Sequence, residues 1–370
     1  MFVQLSTQKK SHVVRKEDIV FHRKLGGRRC TKTAYFPCIL VEGRRASPGH
    51  CHLLSKQFLC RHAVIIRHRA HLFRKFILFF SQIGSLQEGF KKSDTICVVS
   101  FEETASMYLC FLRMFMKFKL IVSERNATLK IGAIERLRFQ LYRVADKVVC
   151  NSMSKSKFIE DNVPHLSSKT HTIINYLDTE RFKPLQLPRQ TSSLRRLLVL
   201  ARVVPQKNVE RFIEALRLLK ADGCRLSVDW HGQPIEPYHT KCQELVSKYQ
   251  LDDILKINPP ISDVEGVYNK YDGFCLPSIY EGFPNIVGEA MSCGVPVLCG
   301  DVCDNKFLLG EESNLLFNPY DINDMKDKLE LFCNLSNEQL QEIGKNNRKR
   351  AVKIFSSAIF VKEYLNLMEL

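Results

Sequence analysis

PSIYEGFPNIVGEAMSCGVPVLCG, residues 277–300, sets two acids around a Gly-Phe-Pro-Asn turn that opens a helix. Glu281 precedes the turn and Glu289 falls inside the helix. Upstream, Gly273–Leu276 reads as a short buried strand, and Pro284 suits a first helical turn, where its missing N–H is not needed. Free backbone N–H groups should then point into the crevice at the strand's carboxyl end, a geometry that binds phosphate. Glu289, just over one turn in, is placed to accept hydrogen bonds from ribose hydroxyls, and Glu281 from hydroxyls of a sugar beyond the phosphates. Two glutamates at this spacing are by themselves ordinary solvated acids. The preceding strand, the Gly-Phe-Pro turn and the Cys-Gly-Val-Pro-Val strand entry give the pair its meaning.

A second motif lies upstream. Residues 197–201 (LLVLA) form an apolar run of buried-strand length, followed by Arg202, a loop with Pro205, then Lys207, Asn208 and a helical pattern through Lys220. A cation at a helix start opposes the helix dipole, which argues for an anion nearby.

At these residues the chain resembles the retaining glycosyltransferases of the GT-B fold, glycosyltransferase family 4, whose signature is a Glu-x7-Glu pair in an E-G-F-P-x-x-x-x-E-A-M setting. The resemblance implies that Arg202, Lys207 and Glu281 carry catalysis and that Gly282, Phe283, Pro284, Asn285 and Glu289 hold the donor. A guanidinium grips two phosphate oxygens and an ammonium supplies a point charge, so the leaving diphosphate is neutralised without a metal. No Asp-x-Asp motif is present, and no cofactor or metal is expected beyond the nucleotide-sugar donor.

The implied fold class is α/β, with two Rossmann-like doubly wound parallel-sheet domains facing a cleft. At 370 residues the chain is long enough for two cores. From residue 197 onward strands and helices alternate: 226–232, a helix near 238–250, 254–258, 273–277, the signature helix and 296–300. An earlier series runs 95–101, a helix around 104–117, 119–124, a helix around 131–144, 147–151 and 170–175. Residues 178–193, with two prolines and little apolar periodicity, read as a linker. The expected division is an atypical basic segment at 1–72, an acceptor-side domain at 73–184 and a nucleotide-sugar domain at 185–370. The resemblance adds that the final helix, from Ser357, crosses back to the first domain.

Glu124, Arg125 and Asn126 end a strand at the expected cleft edge, where they would touch donor or acceptor; the plainer reading is an ion pair at a strand end. Many relatives carry a histidine near this loop, but none stands between His71 and His165, so that role is unassigned.

The formal net charge is +16, yet residues 1–75 hold 17 Lys+Arg against 3 Asp+Glu while residues 185–370 hold 22 against 25. The excess belongs to the segment that matches the family least, and no nucleic-acid-binding signature accompanies it. Residues 107–119 (MYLCFLRMFMKFK) combine large apolar residues with three cations, which would suit an anionic membrane surface, although a helix with a core stripe explains them as well. The first 30 residues show no apolar signal core, and no run of about 18 apolar residues follows. The 14 cysteines include no CxxC pair, so free thiols in a reducing cytoplasm are expected. Cys30, Cys38, Cys51 and Cys60 fit no common zinc spacing.

Residues 1 to about 70 also lack the first strand and glycine loop that the resemblance calls for. The genetic code allows residues 26–35 (GGRRCTKTAY), read one nucleotide downstream, to give a Gly-Gly-Gly-Gly-Ala-Gln-Lys-Leu-Leu loop and helix start. An upstream frameshift, with the native frame restored near Phe73, accounts for this composition; resequencing tests it.

The implied activity is transfer of a sugar from a nucleotide diphosphate donor to a glycan or lipid-linked glycan, with retention, in cell-surface polysaccharide synthesis such as lipopolysaccharide or capsule. The expected site is the cytoplasm, with peripheral contact at the inner membrane face and no nucleic-acid partner. The alternative is an inactive, nucleotide-sugar-binding subunit that acts through interaction. A dinucleotide-dependent oxidoreductase is disfavoured because no GxGxxG follows a strand.

Overall fold

A computed structural model describes residues 39–43, 96–127, 130–185 and 194–368. The four cysteines weighed for zinc and the shifted-frame segment at 26–35 lie outside the described residues. The strands fall into two sheets, β1 to β5 in one and β6 to β11 in the other. Among the described residues, 39–43, 96–122 and 144–146 cluster as one compact unit, and 123–143 with 147–368 as a second.

In the first unit, β1 (Ile39–Gly43) pairs antiparallel with β2 (Ile96–Ser100), and β2 pairs parallel with β3 (Lys119–Glu124). The β2–β3 crossover carries α1 (Glu103–Arg113), which buries Leu109, Cys110 and Leu112. That apolar stripe is the core face expected of a crossover helix. The helix is shorter than its apolar composition predicts: it ends at Arg113, and Phe118 is already buried before the strand begins. Apolar residues run on through turn and strand alike, so periodicity alone does not mark the boundary. Phe111 and Phe115 meet edge to face, and Phe115 stays 71% exposed.

The second unit contains a six-stranded sheet in the order β11-β10-β9-β6-β7-β8. Its members are β6 (Arg195–Leu200), β7 (Leu226–His231), β8 (Leu255–Asn258), β9 (Gly273–Leu276), β10 (Val297–Gly300) and β11 (Leu316–Phe317), and every adjacent pair is parallel. The central strands are buried on both faces, as helices on either side of a parallel sheet require. Chain order reverses between β6 and β9. β7 and β8 build outward on one side of β6, then β9 returns to its other flank and β10 and β11 continue away. Such a switch point opens a crevice at the carboxyl ends of its two strands.

The same unit holds β4 (Lys147–Cys150) paired parallel with β5 (Thr170–Thr172), and the helices α2 (Ala133–Leu141) and α3 (Met153–Asn162). Further along come α4 (Val209–Ala221), α5 (Tyr238–Lys248), α6 (Asn285–Ser292), α7 (Asn305–Leu309), α8 (Ile322–Asn334) and α9 (Asn337–Ile354). The last helix, α10 (Ser357–Met368), sets Phe360 against Tyr176, just beyond β5, with ring centroids 6.3 Å apart. Among the described residues, no helix is long and apolar enough to cross a membrane.

Candidate active site

The two sequence motifs meet at the switch point. Arg202 lies just beyond the carboxyl end of β6, in a position shaped by close packing. Trp230 Nε1 donates to the Ala201 carbonyl at 2.8 Å, and a Cβ on Gly232 would stand 1.7 Å from that same oxygen. Only glycine lets β7 leave the sheet so near to β6. The Arg202 side chain is exposed and has no hydrogen-bond or ion-pair partner among the described residues.

Three residues on, the short turn Pro205–Lys207 is laced to the chain after β9. The Ile279 amide donates to the Gln206 carbonyl at 3.0 Å, and Gln206 Nε2 donates to the Tyr280 carbonyl at 2.9 Å. Lys207 is thereby fixed against Glu281, and their side chains form a direct ion pair about nine-tenths removed from solvent. Asn208 follows in the left-handed region, φ 61°, and its Nδ2 is anchored on the Pro319 carbonyl at 2.6 Å.

The Gly-Phe-Pro-Asn turn lands where the sequence predicts, with α6 starting at Asn285 behind Pro284. Two of its early amides are already used: Asn285 donates to the Phe283 carbonyl, and Val287 to that of Pro284. The Ile286 amide has no acceptor among the described residues, so one donor of the helix start remains for a ligand. Phe283 is buried edge to face on Phe355, with centroids 6.2 Å apart. Gly282 needs its missing side chain, because a Cβ there would meet the Arg125 carbonyl oxygen at 2.9 Å and the Ala127 nitrogen at 3.1 Å. The loop after β3 and the loop after β9 are therefore in direct contact.

Glu289 is 6% exposed and accepts a hydrogen bond from the Tyr268 hydroxyl at 2.6 Å. Burial pushes its carboxyl up to about 7, with the Tyr268 hydrogen bond pulling the other way. The folded pKa thus stands above the ordinary 4.5. The fold binds more protons than the unfolded chain between those values, so this group's contribution to stability is present at low pH and lost as pH rises through about 7. Wild-type unfolding free energy is expected to fall between pH 5 and pH 8, and Glu289→Gln to flatten that slope. Denaturant titrations across this range check the trend; an unchanged slope in the variant would contradict the assignment.

Of the two readings open for Glu124, the structure favours an ion pair over a cleft contact. Glu124 does not face the site. It is fully buried, with Arg138 Nε at 3.0 Å, Lys155 Nζ at 3.2 Å and the Tyr142 hydroxyl at 2.8 Å, so it serves as a buried junction between β3, α2 and α3. A strand-end position suggested a cleft residue; the two cations that claim it sit 14 and 31 positions later, beyond the reach of local pattern. Arg125 and Asn126, by contrast, do lie beside the Gly-Phe-Pro-Asn turn, with Asn126 exposed.

Several polar residues of this cluster were not singled out from sequence. Asn175 joins Arg125 to Asn285. Asn151 Nδ2 reaches the Arg125 carbonyl at 3.4 Å. Asp304 accepts from the Met153 and Ser154 amides at 2.7 and 3.0 Å, capping α3, and Cys303 Sγ donates to the Gly282 carbonyl at 3.1 Å. The available signal was position: each stands at, or a few residues beyond, the carboxyl end of a predicted strand. Among the described residues no cluster of His, Cys, Asp or Glu could hold a metal ion.

Residues 189–350 match the family model of glycosyl transferases group 1. A provisionally named colanic acid biosynthesis glycosyltransferase, WcaL of Escherichia coli strain K12, is 26% identical over 202 residues, 52% of this chain and 49% of that protein. An MMP alpha-(1->4)-mannosyltransferase of Mycolicibacterium hassiacum is 24% identical over 231 residues, 61% of this chain and 54% of that protein. The chain spans about half the length of these curated relatives. Among solved structures, Anabaena Alr3699/HepE in complex with UDP and glucose superposes with a TM-score of 0.66 at 17% identity, covering 78% of this chain and 81% of that one. A glycosyltransferase from Rickettsia africae gives 0.68 at 16% identity, covering 79% and 80%. The fold is that of the GT-B glycosyltransferases, α/β with two sheets that are parallel apart from the β1–β2 pair.

Proposed function

We propose that this protein is a family 4 glycosyltransferase that moves a sugar, with retention, from a nucleoside diphosphate donor to a glycan or lipid-linked glycan acceptor in cell-surface polysaccharide synthesis. The observation that carries the reading is the convergence of Arg202, Lys207, Glu281 and the start of α6 at the switch point of a parallel sheet. A diphosphate there would take Lys207 and Arg202 as counter-charges and the Ile286 amide as a donor. Glu281, released from Lys207, would accept from hydroxyls of the donor sugar, and Glu289 from the ribose. Catalysis in such a site is mainly positioning and stabilisation of the departing diphosphate's charge.

The relatives' names support polysaccharide synthesis, and the UDP in the HepE complex supports a nucleotide-sugar donor. The proposed location is the cytoplasm, with peripheral contact at the inner membrane face. An inactive nucleotide-sugar-binding subunit is less well supported, because the charged pair and the helix start are all in place.

The test is release of UDP or GDP from UDP-glucose or GDP-mannose by the purified chain, with and without membranes bearing lipid-linked glycans. Because Arg202 and Lys207 supply the positive charge, turnover should survive millimolar EDTA unchanged. A strict requirement for magnesium or manganese would count against the assigned roles. A wild-type chain that binds nucleotide but never turns over would favour the inactive subunit.

A further inference from the structure

Asn175 is only 4% exposed, and both ends of its carboxamide are engaged. Its Oδ1 accepts from Arg125 Nη2, and its Nδ2 donates to Asn285 Oδ1 at 2.9 Å. Arg125 belongs to the loop after β3, and Asn285 is the first residue of α6. One buried amide therefore links the loops of two different sheets. The main chain closes the same ring: the Arg125 carbonyl is pressed against Gly282 and accepts from Asn151 Nδ2. The guanidinium is held at its tip by Asn175 while its own backbone rests on the turn that begins α6.

Resting on the glycosyltransferase reading, we propose that Asn175 is a positioning residue for transfer. It fixes the Arg125 guanidinium beside the Gly-Phe-Pro-Asn turn, so that this cation meets the donor in one orientation. A carboxamide neither gives nor takes a proton at ordinary pH, so Asn175 acts only through the groups it holds. Small misplacements of a positioned charge are costly to rate and weakly felt in affinity.

Asparagine and aspartate differ here in an informative way. Asn175→Asp keeps an acceptor for Arg125, and Asn285, by turning its amide over, can donate to the second oxygen. Asn175→Ala removes both links.

The full-length chain is tested as wild type, Asn175→Ala, Asn175→Asp, Arg125→Ala and the Ala/Ala double variant. UDP and GDP binding is measured by calorimetry, turnover with UDP-glucose and GDP-mannose, and hydrogen exchange over residues 282–289. Asn175→Ala is expected to bind nucleotide within about threefold of wild type while turnover falls about 10- to 100-fold. Exchange over the turn should accelerate, and Asn175→Asp should recover both turnover and protection. The double variant should be no worse than Arg125→Ala, because the two act as one unit. Unchanged turnover in Asn175→Ala, equal damage from Asp and Ala, or losses that multiply in the double variant would overturn the positioning role alone. A wild-type chain that neither binds UDP or GDP nor releases them from their sugars would overturn the glycosyltransferase reading itself.

Discussion

Lys207→Ala is expected to cost about 2–4 kcal/mol of transition-state stabilisation, a fall of about 30- to 1000-fold in turnover. Two losses combine. The ammonium that would meet the leaving diphosphate is gone, and Glu281, about nine-tenths buried, is left without its partner. Glu281→Ala should act differently, impairing use of the donor sugar more than release of the nucleotide. The double variant separates the contributions: if removing Glu281 recovers part of the Lys207→Ala loss, the unpaired carboxylate was responsible for that part. Initial rates at saturating donor measure this, and wild-type turnover in Lys207→Ala would remove the lysine from the site.

Glu124→Ala is expected to destabilise its surroundings by about 3–5 kcal/mol, because it removes the buried carboxylate that Arg138 and Lys155 share. Charged groups shut away from water lose solvation that only a partner replaces. Hydrogen exchange of the Val148, Val149 and Cys150 amides in β4 reads the loss locally. A change under about 1 kcal/mol would mean that the two cations escape to water at little cost. Nucleotide affinity should change far less than stability, since among the described residues the Glu124 carboxylate bonds to Arg138, Lys155 and Tyr142 and not to the proposed donor residues.

The six-stranded sheet was largely legible in advance. β6, β7, β9 and β10 are short, apolar and bounded by Gly, Pro or charge, and their alternation with helical patterns already implied a parallel sheet. The grouping of the candidate residues was legible where it is local: Glu281, the Gly-Phe-Pro-Asn turn and Glu289 share one stretch, and Lys207 stands just before a helix start, while their roles belong to the proposal. What remained hidden depends on tertiary approach. Glu124 looks the same whether it faces a cleft or two buried cations. Nothing near Asn175 in the chain foretells Arg125 or Asn285 as partners, which lie 50 and 110 residues away. The requirement for glycine at 232 and 282 comes from backbones of other strands, not from local turn chemistry. The end of α1 is hard to place from sequence because large apolar residues run through helix, turn and strand alike.

The ion pair between Lys207 and Glu281 has a bearing on discrimination among ligands. With Lys207 already matched by an acid, Arg202 is the exposed cation of the site, and Lys207 itself is not open to every passing anion. A ligand must offer two things at once: phosphate oxygens good enough to take Lys207 from Glu281, and hydroxyls to occupy the carboxylate thus set free. Inorganic phosphate brings the first without the second, and a neutral sugar the second without the first. On the proposed reading, a molecule joining both parts is the one that opens the pair at no net loss.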